Sequence, residues 1–220
     1  MSGLDLNQVE EIKSSAFYLC SSLSGLLTIP DSVTGLGSNA FNATNYSGVI
    51  IGSGLEEIGG AVFKQNTSLQ FIEIPSGIKT IDASAFYGCS SLSGVVFNEG
   101  LINISPSFSA YNLYTGAFSN CASLSGTIEF PTTLEKIGRN SFGGCIAVEA
   151  IRFTSVVAPK TNNSALPYQF ISDPSNHIIY APLGSEASYS GLSYVASTSA
   201  PIYGGDKNPL NWDLLNIVFE

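Results

Sequence analysis

The sequence predicts a repeat solenoid, a stack of short β-coils closed by a small α+β cap at the C-terminus. Three observations carry this. Phe17, Phe41, Phe63, Phe86, Phe118 and Phe142 recur at gaps of 24, 22, 23, 32 and 24 residues. Aliphatic and small residues keep fixed offsets from these phenylalanines. Short runs that alternate apolar with other residues follow at the same interval. One such unit cannot bury its own apolar side, so neighbours must stack.

Each element of the unit has its reason. Five residues before the Phe stands an aliphatic: Ile12, Leu36, Ile58, Ile81 or Ile137. Three further back stands another: Val9, Val33, Leu55, Ile78 or Leu134. Three residues after the Phe comes Cys20, Thr44, Asn66, Cys89, Cys121 or Cys145. Close behind come Leu23, Tyr46, Leu69, Leu92, Leu124 and Val148. The apolar spacing of three in Phe86, Cys89 and Leu92 predicts one turn of helix or 3₁₀ facing the core. Then Leu27-Thr28-Ile29, Ile72-Glu73-Ile74, Ile128-Glu129-Phe130 and Ile151-Arg152-Phe153 alternate as half-buried strands do. Pro30, Pro75 and Pro131 end three of them, since proline cannot donate to a ladder. Six coils at a strand spacing of about 4.8 Å give a rod only about 29 Å long.

The gap of 32 is an insertion. Leu101 and Ile104 keep the aliphatic spacing, and Phe118 arrives late. Residues 105–116 are therefore expected to interrupt one turn of an otherwise regular coil.

The unit resembles the BspA-like family of leucine-rich repeats. Its closest copy runs Ile74-Pro75, Ile78, Ile81, Ala85-Phe86, Cys89, Leu92. Gly37, Gly59 and Gly138 match the family's turn glycine, whereas Asp82 and Ser105 depart from it. The resemblance covers about residues 9–153. It implies a curved right-handed solenoid of leucine-rich-repeat type, used on cell surfaces for adhesion or protein binding, and no enzymatic activity.

The division expected is a solenoid over 1–153 and a capping module over 154–220. Within the latter, Ile178-Ile179-Tyr180 predicts a strand and Pro182-Leu183-Gly184 a turn, with Ser185 as the N-cap of a helix. Ala187, Tyr189 and Tyr194 loosely match the family's closing helix. Trp212, Leu214, Leu215, Ile217 and Phe219 are expected to seal the last coil, because an open end exposes strand edge and core. No comparable cap precedes Val9, Ile12 and Phe17. Trimming from a longer array, or self-association at this uncapped end, is the expectation.

Composition narrows the function. Of 220 residues 44% are hydrophobic and only 11% charged, against about 25% in an average domain. The surface must then be Ser, Thr, Asn and Gly, which suits turns and strands better than a helical bundle. The net charge is −9, with 17 acidic and 8 basic residues and no basic cluster, which argues against nucleic acid and a polybasic membrane anchor. No apolar run is long enough to span a bilayer. The start at Met1-Ser2-Gly3 has no signal peptide; the expectation is an extracellular or cell-surface protein whose signal was removed ahead of this chain, the alternative a protein not exported by that route.

No chemistry-bearing constellation emerges. The four cysteines share one repeat position, which reads as a ladder of buried thiols, and their spacings fit no zinc pattern. A disulfide among Cys89, Cys121 and Cys145 stays geometrically open. His177 stands alone, and Glu10-Glu11 and Glu56-Glu57 point to different faces. The sequons at Asn42, Asn45, Asn66, Asn103 and Asn162 follow from composition, and Asn66 points inward. No catalytic residue, metal or cofactor is expected.

Two features suggest binding. The outward row Thr28, Ile50, Glu73, Val96, Glu129, Arg152 runs along the stack beside Leu26, Gly48, Phe71, Gly94, Thr127, Ala150. Ile50, Phe71 and Val96 would form an exposed apolar cluster, which marks contact sites but also follows from β-propensity. Phe108, Tyr111 and Tyr114 sit on the insertion, where aromatics offer contact area at low entropy cost. The expectation is a non-enzymatic adhesion or binding scaffold for a protein or glycan. The alternative is a structural segment of a longer array or of a multi-chain assembly such as a phage particle.

Overall fold

The computed structural model describes residues 4–105, 116–138, 140–161, 178–185 and 216–220. The predicted solenoid is what it shows, a parallel β-coil of about six turns. The strands are β1 (Glu11–Ile12), β2 (Ser24–Ile29), β3 (Gly35–Leu36), β4 (Asn45–Ile51), β5 (Glu57–Ile58), β6 (Phe71–Ile74), β7 (Thr80–Ile81) and β8 (Gly94–Phe97). They continue as β9 (Asn103–Ile104), β10 (Gly126–Phe130), β11 (Lys136–Ile137), β12 (Val148–Phe153), β13 (Lys160–Thr161), β14 (Ile178–Ala181) and β15 (Asn216–Phe219).

Each full coil has three sides. The long strands form two sheets, ordered β2-β4-β6-β8 and β10-β12-β14-β15. Pro30, Pro75 and Pro131 stop β2, β6 and β10. Their carbonyls accept from the N–H groups of Val33, Ile78 and Leu134, at 3.1, 3.0 and 3.2 Å, which closes a turn. The chain then enters a two-residue strand that pairs with its neighbours in a second, narrow sheet, β5-β7-β9-β11-β13, with β1-β3 beside it. Sequence alternation could not announce this second sheet, because two residues are too few to alternate.

The third side departs from expectation. In place of a helical or 3₁₀ turn, a run of β-turns carries the Phe, and no helix is assigned among the described residues. Residues two before the Phe (Ser15, Asn39, Ala61, Ser84, Asn140) and two after (Leu19, Ala43, Gln65, Gly88, Asn120, Gly144) have φ between 55° and 78°. The left-handed positions turn successive N–H groups in different directions. Cys20 N–H donates back to Phe17 within the coil (3.1 Å), while Phe17 and Leu19 N–H donate across to Ala40 and Asn42 of the next (2.8 and 2.9 Å). In a helix these donors would all point one way along its own axis. Here half of them cement the stack.

Inside run two columns of rings. Phe17, Phe41, Phe63, Phe86, Phe118 and Phe142 stack with centroids 5.0, 5.8, 5.4, 4.9 and 5.1 Å apart and near-parallel planes. Phe97, Phe130 and Phe153, from the ends of β8, β10 and β12, stack beside them at 5.5 and 5.3 Å. Offset or edge contacts of this kind add to the area buried. The insertion leaves the column intact. Its ends are pinned together, since the Ser105 hydroxyl accepts from the Ala117 N–H at 2.8 Å.

The residue three after the Phe ties coil to coil. Cys89, Cys121 and Cys145 thiols donate to the carbonyls of Phe63, Phe86 and Phe118, each one coil back, at 3.2, 3.2 and 3.1 Å. Asn66 does the same to Phe41 at 2.7 Å, also donates to Phe63 at 3.0 Å, and accepts from Thr44 at 2.6 Å. All four cysteines are free thiols. The Cys121 thiol beside it, and then burial, push the Cys145 thiol well up, so it stays protonated and able to donate.

Turn glycines mark the closest backbone approach. A β-carbon at Gly37 would fall 2.3 Å from Ser14 N, and one at Gly138 2.1 Å from the Ser105 carbonyl oxygen. At the C-terminal end the predicted strand and turn appear as β14 and Leu183-Gly184. The long-strand sheet does not stop at residue 153: β14 pairs parallel with β12, and β15 with β14. Phe219 packs against the core. His177, Ala187, Tyr189, Tyr194, Trp212, Leu214 and Leu215 lie outside the described residues, as does the helix expected after Ser185.

Candidate partner-binding face

Strand register fixes which side chains share the outer face of the first long-strand sheet. Leu26 pairs with Gly48, Gly48 with Phe71 and Phe71 with Gly94, giving one row. Thr28 pairs with Ile50 and Glu73 with Val96, giving the other. Over these four strands both rows are those expected from alternation; further along, Ala150, expected to face outward, is buried. Leu27, Ile29, Ile72 and Ile74 between them are buried, whereas Leu26, Ile50, Phe71 and Val96 are 62%, 51%, 49% and 42% exposed. Four large apolar side chains on four successive strands thus form one zigzag stripe. Leu26 belongs with the three residues singled out from sequence, and its place in the row was the signal for it.

The stripe is held flat by its glycines. A β-carbon at Gly48 would lie 3.1 Å from Leu26 Cδ1, and one at Gly94 3.1 Å from Phe71 Cδ2. Leu26 and Phe71 therefore rest on the bare backbone of the next strand. Glu73 sits in the stripe between Ile50 and Val96, its Oε1 accepting from Asn98 Nδ2 at 2.9 Å.

The second long-strand sheet carries different chemistry along the same line. Glu129, Arg152, Tyr180 and Val218 continue the row. Arg152 lies 4.4 Å from the Tyr180 ring centroid and 4.0 Å from Glu129, and pairs with Glu220. This group clamps the last two strands to the sheet. Phe108, Tyr111 and Tyr114 lie outside the described residues and are not brought into relation with the stripe.

Among the described residues no group of three His, Cys, Asp or Glu is placed to hold a metal, and no helix is long and apolar enough to cross a membrane.

The repeat geometry has its counterpart in sequence families. The BspA type leucine rich repeat region matches residues 4–113 and 107–171, in six copies. The chain belongs to this leucine-rich repeat family. Three solved structures are similar to this BspA-type chain. A leucine rich cell surface protein from Faecalibacterium prausnitzii shares 26% identity at a TM-score of 0.45, over 67% of this chain and 30% of that one. The pneumococcal vaccine antigen PcpA shares 19% at 0.35, over 84% and 57%. A leucine-rich repeat protein from Bacteroides ovatus shares 15% at 0.35, over 99% and 77%. The chain thus spans about a third of the first of these and about half of the second. No curated protein matches it.

Proposed function

We propose that this BspA-type repeat chain is a non-enzymatic binding scaffold, displayed outside the cell, whose first long-strand sheet is the contact surface for a protein partner. The observation that carries the reading is the contiguous stripe of Leu26, Ile50, Phe71 and Val96 on a rigid sheet. Contiguous exposed apolar area is what contact sites offer. A row of parallel strands fixed by stacked coils presents that area with little entropy left to lose on binding. The placement outside the cell rests on the family, whose members of BspA type are surface proteins by resemblance.

The test is a binding survey. Labelled protein is applied to immobilised extracellular proteins and to glycans, beside the variant Ile50→Ser/Phe71→Ser/Val96→Ser. Binding weakened tenfold or more in a variant of unchanged melting temperature supports the face. Binding retained in full by that variant places the contact surface elsewhere.

A further inference from the structure

Resting on that reading of the face, we infer that the stripe takes a cationic amphipathic α-helix of a partner protein, laid along the solenoid axis. Three features of the face select this occupant.

The first is spacing. From Leu26 on β2 to Val96 on β8 the stripe crosses three inter-strand steps, about 14 Å at 4.8 Å each. A helix presents apolar residues once per 5.4 Å turn, so three turns drift from the stripe by only about 2 Å. An extended segment repeats same-face residues about every 6.8 Å and drifts by about 6 Å, missing half of the knobs. A helix about 10 Å wide also covers both rows, which stand two residues apart on each strand.

The second is relief. In one row Leu26 and Phe71 are separated by a low point at Gly48, and in the other Ile50 and Val96 flank the exposed side chain of Glu73. Because Leu26 and Phe71 lie down on Gly48 and Gly94, the face is shallow and continuous instead of bristling. It accepts a ridge of side chains as a packed helix does.

The third is charge. Glu73 is the sole ionisable group inside the stripe, and Asn98 holds its carboxylate in place. Arg152 answers the next carboxylate along, Glu129, so Glu73 is the stripe's own negative charge, on a chain of net charge −9. A Lys or Arg on the helix, set between its apolar residues, would meet Glu73 as the contact closes. A second copy of this chain is disfavoured by the same residue. Face-to-face pairing would bury Glu73 against apolar side chains or against another Glu73, and a buried unpaired carboxylate is costly. An oligosaccharide fits less well, since Thr28 and Glu73 are the polar side chains interleaved with the four knobs.

The experiment titrates the whole chain with labelled 14-residue model peptides: a Leu/Lys amphipathic helix, its Leu/Glu counterpart, and a Lys/Ser peptide with no apolar face. The Leu/Lys peptide should bind at least tenfold tighter than either control. Glu73→Lys should reverse the preference between Leu/Lys and Leu/Glu peptides, while Glu57→Lys on the narrow sheet should leave it unchanged. Phe71→Ser should weaken the Leu/Lys peptide tenfold. Equal binding of all three peptides, or a Glu57→Lys effect as large as that of Glu73→Lys, would show general charge attraction and overturn the inference. If no peptide binds, yet the triple serine variant still binds proteins more weakly in the survey above, the helix falls and the face stands. Peptide binding undiminished in the triple variant sinks both. Glycan binding that depends on the stripe, without peptide binding, replaces the helix by a sugar.

Discussion

The ring of Phe71 lies across Gly94 on the neighbouring strand, where an added β-carbon would come within 3.1 Å of its Cδ2. Packing of a large side chain over a strand glycine compensates for the contacts glycine cannot make. Gly94→Val should lift the ring off the sheet and roughen the stripe. Partner binding should weaken about tenfold while the melting temperature moves by only a few degrees, because the ring is half exposed and free to move aside. Binding and thermal denaturation measured on one preparation check this.

Phe86 and Phe71 should behave oppositely. Phe86 is fully buried with rings on both sides at 5.4 and 4.9 Å. Phe86→Ala should cost about 3–5 kcal/mol in urea denaturation, the range for an emptied aromatic site in a core. Phe71→Ala should cost about 0.5 kcal/mol. Comparable losses at the two sites would mean that the ring column is not the backbone of the stack.

Thiol chemistry should follow the ladder. Cys89, Cys121 and Cys145 are buried donors to carbonyls, whereas Cys20 is only partly covered. Iodoacetamide at pH 8 should label Cys20 first and the other three only when urea unfolds the chain. The same logic predicts that Asn66→Leu, which strips Phe41 of a donor and Thr44 of an acceptor, costs about 1–3 kcal/mol. Asn66→Cys, which restores the residue type used three times further along, should recover part of it.

Two carboxylates make stability depend on acid. Hydrogen bonds from the Thr132 N–H and hydroxyl, at 3.0 and 2.8 Å, hold Glu99 below its ordinary value of 4.5. The Ser53 N–H, at 2.7 Å, holds Asp31 below 3.8. A carboxyl depressed in the folded chain stabilises it above the unfolded value and ceases to do so as pH falls through the folded one. The melting temperature should therefore decline as pH drops below about 4.5, and less steeply in Glu99→Gln. Titration by circular dichroism between pH 7 and 2 reads the two slopes.

The ring column and both outward rows of the first long-strand sheet were legible in the sequence because each depends on one quantity that survives without coordinates. Phe41 and Phe63 share an offset, and Glu73 and Ile74 differ in parity along one strand. The run of turns was not legible, since Phe86, Cys89 and Leu92 stand three apart in a helix and in consecutive turns alike. What separates the two is the destination of single N–H groups, such as Phe86 donating to Ala117 in the next coil. The place of β15 was hidden for another reason. Asn216–Phe219 follows a long stretch outside the repeat, so no register in the sequence ties Ile179 to Ile217.

Leu26 and Phe71 recline in the same direction, each toward the strand that follows it. The outer face therefore has a nap, like brushed cloth. A guest on this surface has a head and a tail. The two ways of laying it down are not equivalent.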